Sequence, residues 1–185
     1  MSNDVQIVAI VGMPGAGKSL ASDFFRTKGL PVLRFGDETE RGLRELGRDI
    51  NEANERWYRE KLRHDLGMAA MAIKIEPRIT QALQKSSNIV ILDGLYSWEE
   101  YVYLKQKFPG LFLLCIFAPP SVRYQRLADR PVRRLTREEA EGRDIAEIEN
   151  LNKGGPIARA DYLIKNESTR EALVEELEKF YTSLL

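Results

Sequence analysis

Gly12-Met13-Pro14-Gly15-Ala16-Gly17-Lys18-Ser19 fits the pattern G-x-x-x-x-G-K-[ST]. Glycines let a backbone turn tightly and approach a polyphosphate without Cβ clashes. The amides of such a loop point inward at a helix N-terminus and form an anion nest. Lys18 then supplies a mobile positive charge to the β- and γ-phosphates, and the Ser19 hydroxyl is a magnesium ligand. The context that the motif requires is present. An apolar, β-branched stretch over 5–11 runs into it, and an amphipathic stretch over 18–28 runs out, with Gly29 as its stop. Residues 12–20, Leu20 included, are the expected ATP-binding segment.

Working outward, the alternation continues. Strands are expected at 31–35, 88–92, 111–118 and 161–165. The unbroken apolar run at 111–118 suits a sheet covered on both faces. Between 38 and 85 the chain is polar and helical, with Trp57, Tyr58, Leu62, Leu66, Ala69, Ala70 and Ile73 at three-to-four spacing. Ser97-x-x-Glu100, Thr136-x-x-Glu139 and Ser168-x-x-Glu171 read as capping boxes that open helices. A helix is also expected over 121–129. Strands alternating with helices predict an α/β sandwich around a mostly parallel sheet in a single domain over 1–185. The two stretches outside the alternation, 38–85 and 130–155, are the expected inserts that carry specificity.

Composition narrows the class. With 43% hydrophobic and 30% charged residues the chain is neither disordered nor membrane-embedded. Its longest apolar run, 111–118, is far short of the ~20 residues of a spanning helix. Asp4 stands where an export signal would carry positive charge, so a cytoplasmic protein is expected. The single cysteine, Cys115, excludes an intramolecular disulfide. Zero formal net charge, from 28 basic and 28 acidic residues, argues against nucleic acid as a partner. No membrane partner is expected either, and a monomer or homodimer fits equally.

Further candidates cluster near the strand ends. Asp93 closes the apolar run 89–92 and precedes Gly94, at the sheet edge where ligands bind, so it is a second magnesium candidate with Ser19. An arginine series follows: Arg123, Arg126, Arg130, Arg133, Arg134, Arg137 and Arg143. Phosphoryl transfer needs positive charge around the moving group. Arg126 and Arg130, one helical turn apart, join Lys18 as the catalytic candidates. After the second strand come Arg34, Asp37, Arg41 and Arg44, the candidate acceptor-binding residues. Asp37 there reads either as a cap for the next helix or as a group that touches the acceptor, a base if that acceptor is an alcohol. His64 reads as a surface residue, Cys115 as inert core, and Trp57 and Tyr58 as packing.

With these residues placed, the chain resembles the P-loop kinases of the nucleoside monophosphate kinase group over nearly its whole length. Phe35-Gly36-Asp37 with Arg41 is similar to the adenylate kinase segment that opens the monophosphate-binding helix, although the Asp37-to-Arg41 spacing is one residue longer. Asp93-Gly94 resembles the start of the adenylate kinase D-G-F-P-R motif, but Leu95-Tyr96-Ser97 lacks its arginine. The stretch from Ala158 to Asn166 resembles the A-D-y-v-i-x-N ending of dephospho-CoA kinases. An adenylate-kinase-related, mainly archaeal group joins these features. The resemblance implies a three-layer P-loop fold with a five-stranded parallel sheet ordered 2-3-1-4-5, an acceptor-binding insert at 38–85 and a lid at 130–155. It also implies ATP and Mg²⁺ as donor and cofactor, and a nucleotide-like acceptor: a nucleoside monophosphate, or an alcohol such as dephospho-CoA. A nucleotide-dependent switch acting on a protein partner is the reading from another class.

Overall fold

The computed structural model describes residues 7–85 and 89–185. Residues 5–6 and 88, assigned above to strands, lie outside them. The sheet is built from β1 (Ile7–Val11), β2 (Val32–Arg34), β3 (Val90–Asp93), β4 (Leu111–Phe117) and β5 (Tyr162–Lys165). All neighbours are parallel and the order is β2-β3-β1-β4-β5, as expected. In β1 every residue is buried, because the period-two alternation feeds two cores instead of a core and solvent. Ile7, Ala9 and Val11 meet one core, and Val8 and Ile10 the other.

The second core is covered by α1 (Lys18–Thr27) through Ala21, Phe24 and Phe25, and by α9 (Arg170–Leu184) through Leu173, Leu177 and Phe180. The first is covered by α4 (Ala70–Gln84) and α5 (Trp98–Lys107), with α2 (Phe35–Glu45) and α3 (Glu52–Leu66) stacked beside α4. The three layers are thus helix, sheet, helix. After β4 come α6 (Pro120–Ala128), α7 (Arg137–Leu151) and a short α8 (Gly154–Ala158).

Several local expectations shift. The second strand ends at Arg34, and Phe35 already begins α2, burying its ring at 1% exposure. Asp37 therefore sits in the first turn of α2 instead of capping it; Arg34 is the N-cap residue. The boxes at Ser97 and Thr136 form with both reciprocal bonds. The third does not: Thr169, one residue later than expected, is the N-cap of α9 and accepts from the Ala172 amide. The α8 turn was not expected at all. No helix among the described residues is long and apolar enough to cross a membrane.

Candidate active site

Strand β1 delivers the chain to the loop, and α1 carries it away. Gly17 is the N-cap of α1 in the left-handed region, φ 106°, with no side-chain cap, so the first amides of α1 are left for an anion. A Cβ at Gly17 would stand 2.4 Å from Asn166 Nδ2, and one at Gly15 2.7 Å from the Arg123 carbonyl. The loop is therefore clasped from outside by two distant segments. Asn166 Nδ2 donates to the Ala16 carbonyl at 2.8 Å, and Arg123 donates to the Pro14 carbonyl at 3.0 Å. Arg123 itself is 4% exposed, with its guanidinium forked onto Asp144 of α7 at 2.9 and 2.6 Å. This arginine ties the loop, α6 and α7 into one piece.

Within the loop, Lys18 Nζ donates to the carbonyls of Gly12 (2.7 Å) and Met13 (3.1 Å), lying across the hollow it would share with phosphates. Burial, and next the charge of Lys153, push its ammonium down to about 7, against the pull of Glu147 and Asp93. Ser19 is exposed, and Leu20 leans on the α1–α9 core. Asp93, half-buried at the end of β3, lies beside Ser22, Arg34 and Lys18; burial nonetheless raises its pKa. Lys18 and Asp93 thus lie close enough to feel each other's charge. A glycine cradle shaped by neighbouring backbone, an ammonium within it and a carboxylate beside it suit a magnesium-bound polyphosphate.

The arginine candidates part ways. Arg126 donates to Asn166 O (2.9 Å), Asn166 Oδ1 (3.3 Å) and Ser168 O (3.3 Å), which commits it to the β5–α9 corner. Arg130 is exposed and feels the charge of Arg143. Arg143 Nε holds Glu147 Oε1 at 3.0 Å, and Glu147 also binds Lys153. Lys153, absent from the sequence-level candidates, is 2% exposed and lies 4.6 Å from the centroid of the Tyr96 ring.

On the insert side a chain of charged contacts leads away from Asp93. Arg34 is 3.9 Å from Asp93 and 3.6 Å from Asp37, and Asp37 is 3.5 Å from Arg78 of α4. Arg78 also holds buried Glu38 at 2.5 Å. Beyond it opens a cavity of about 180 Å³ lined by Glu38, Arg41, Glu45, Tyr58, Lys74 and Arg78. Tyr58 reaches this wall because Gly42 has no Cβ, which would sit 2.0 Å from the phenol oxygen. Arg41 is thus at the cavity, whereas Arg44 pairs with Glu40 at 3.6 Å and is exposed. Glu38, Lys74 and Arg78 were not singled out from the sequence. The Glu38–Arg78 pair joins residues 40 positions apart, and no short-range pattern signals it. His64 is exposed beside Asp65, and burial pushes the Cys115 thiol up to about 11, consistent with inert core.

A glycine loop of this build at the carboxyl edge of a 2-3-1-4-5 parallel sheet defines a P-loop nucleotide-binding domain with a kinase-like fold. Residues 8–147 match the family model described as AAA domain. The chain belongs to the UPF0200 family: it is 32% identical to the UPF0200 protein of Thermococcus kodakarensis, over 97% of this chain and 98% of that one. It is 33% identical to a Methanoculleus marisnigri member, over 94% and 93%. Among solved structures it superposes on TT1252 from Thermus thermophilus with a TM-score of 0.71 at 22% identity, covering 97% and 98% of the two chains. A shikimate kinase from Bacteroides thetaiotaomicron gives 0.58 at 16% identity, with the same coverages. A gluconokinase from Sinorhizobium meliloti gives 0.52 at 15%, again over 97% and 98%. At these identities the structural likeness concerns the fold.

Proposed function

We propose that the chain is an ATP-dependent small-molecule kinase that transfers the γ-phosphoryl group to a nucleoside monophosphate or similar nucleotide. The observation that carries this reading is the continuous line of charged contacts Asp93–Arg34–Asp37–Arg78. It joins a loop built for polyphosphate to a cavity presenting Arg41, Lys74 and Arg78. A nucleotide-dependent switch needs a donor loop but no such second cavity.

In this mechanism the loop amides of 12–20 and Lys18 hold the β- and γ-phosphate charge. Ser19 and Asp93 would hold Mg²⁺, which would supply positive charge to the transferring phosphoryl group. Arg130, exposed and uncommitted to the core, brings further charge from the start of the 130–155 lid. Arg126 contributes only by leaving Asn166 and Ser168, so its part is to fix the loop's flank. Arg34 and Arg41 orient the acceptor with Lys74 and Arg78. Arg44, paired outward, is a peripheral member of the set.

The test is a panel of nucleotide and alcohol acceptors scored for stimulated ADP release, with Lys18→Ala as control. Losing one preorganised electrostatic contact raises a barrier by about 3–4 kcal/mol. Stimulated release that persists in Lys18→Ala at a matched melting temperature overturns the reading. An alcohol acceptor is favoured by one observation: Asp37, held by Arg34 and Arg78 beside the cavity, is a carboxylate able to accept a hydroxyl proton. The names of the shikimate kinase and gluconokinase neighbours point the same way. For a phosphate acceptor, Asp37→Asn keeps most of kcat; for an alcohol it costs roughly 10²–10⁴-fold.

A further inference from the structure

Lys153 has no place in the mechanism above, yet the fold takes trouble to bury it. Asn152, just past α7, is left-handed at φ 50° and donates to Glu99 of α5 at 3.1 Å. At Gly155 a Cβ would come 2.6 Å from the Trp98 indole, so the start of α8 lies flush on that ring. The Lys153 amide bonds back to the Glu147 carbonyl at 3.3 Å. These contacts hold the backbone so that the side chain runs inward to Glu147 and Tyr96.

An ammonium in such a position costs several kcal/mol in desolvation, and an apolar side chain would fill the same space without that cost. Its counterion is shared, since Glu147 serves Lys153 and Arg143 together. Tyr96, under the ammonium, belongs to the same β3–α5 turn as Asp93, and the charge of Lys153 is felt at Lys18 itself. Lys18, Lys153 and Arg143 therefore converge against Glu147 and Asp93, and Arg130 stands beside Arg143. Arg123 does not add to the excess, because Asp144 neutralises it. A surplus of cations at the mouth of a phosphate loop is balanced by an arriving polyanion.

We propose that Lys153 is a further phosphate-contacting residue, stored on Glu147 in the free protein and passed to a phosphate oxygen when polyphosphate enters. Glu147 acts here as an internal stand-in for the ligand's charge. The inference rests on the donor-site reading given above and adds a residue to it.

Sodium tripolyphosphate is the probe, titrated calorimetrically into the full chain, with thermal melts of the free protein alongside. Four forms are compared: wild type, Lys153→Met, Glu147→Gln and the double variant. A charge-assisted bond lost from Lys153 weakens binding about tenfold to a hundredfold. Glu147→Gln is expected to melt lower, since the buried ammonium loses its partner, but to bind at least as tightly. The double variant is expected to recover the melting temperature and not the affinity, which separates a ligand contact from a structural pair. Wild-type affinity in the double variant, or equal weakening by Lys153→Met and Glu147→Gln, overturns the inference and leaves the donor site standing. A wild-type chain that binds no tripolyphosphate overturns both.

Discussion

Lys18 meets two opposed demands. On the proposed function it must be charged to hold phosphate, and in the free protein burial and the charge of Lys153 bring its pKa to about 7. Incoming phosphate favours the ammonium and raises that value. The liganded form then holds more protons than the free form above pH 7. ATP binding at pH 8 should accordingly take up a fraction of a proton, approaching one, and affinity should fall as pH rises from 7 toward 9. Calorimetry in two buffers of different ionisation enthalpy reads the uptake directly. A heat independent of buffer at pH 8 would show that Lys18 is already charged before ATP arrives. Asn166 works at the same scale: one amide holds Ala16 and receives Arg126, joining the loop to the flank that Arg126 occupies.

Among the elements, α5 carries an unusual cap. Glu100 accepts the amides of Tyr96 (2.8 Å) and Ser97 (3.2 Å) on one oxygen, while burial pushes its carboxyl up to about 7, those bonds opposing the rise. With the folded pKa above the unfolded value, the folded state keeps a proton that the unfolded chain has lost. Stability from this group is therefore full below about pH 4.5 and declines as pH rises through 7. Glutamine preserves the single accepting oxygen without ionising. Glu100→Gln should match wild type near pH 4.5 and exceed it at pH 8 by about 1–3 kcal/mol in urea unfolding. A variant that is less stable at both pH values would mean that the box depends on the ionised carboxylate. The boxes at Ser97 and Thr136 were legible because capping chemistry is local, and β4 was legible because a strand covered on both faces leaves an unbroken apolar run. The α8 turn was not, since five residues containing Gly154-Gly155-Pro156 have no periodicity. Lys153 was invisible for a related reason. A lysine in sequence reads as surface, and its burial is decided by the left-handed Asn152 and by the fit of Gly155 to Trp98.

For the whole molecule, the parallel sheet gathers the candidate functional groups. Because all five strands run the same way, the phosphate loop, Arg34 and Asp93 emerge at one edge, with β2 and β3 in register from Arg34 to Asp93. The insert helices pack against the first core and set their cavity beside that edge. The loop and the insert cavity are thus built from separate elements, so under the proposed function damage to the acceptor side should spare the donor side. Arg78→Met should raise the acceptor KM by about tenfold or more while leaving the ATP Kd within about twofold. Pairing it with Glu38→Gln removes the charge that would otherwise be left buried alone. A parallel loss of ATP affinity would show that the two halves are coupled. The division between the glycine loop and a helical insert was readable in outline, through the loop motif and the break in alternation at 38–85. The partners lining the cavity were not, because α2 and α4 meet only once the sheet has formed.

The clasp of Asn166 on Ala16 joins residues 150 positions apart. During synthesis β1 and its loop precede β3, β4 and β5, yet β1 is the middle strand and waits for β3 and β4 before it has neighbours. Contacts closed over such separations form late and slowly. A growing chain therefore carries the complete glycine loop long before the clasp on Ala16 can close, since Asn166 follows β5.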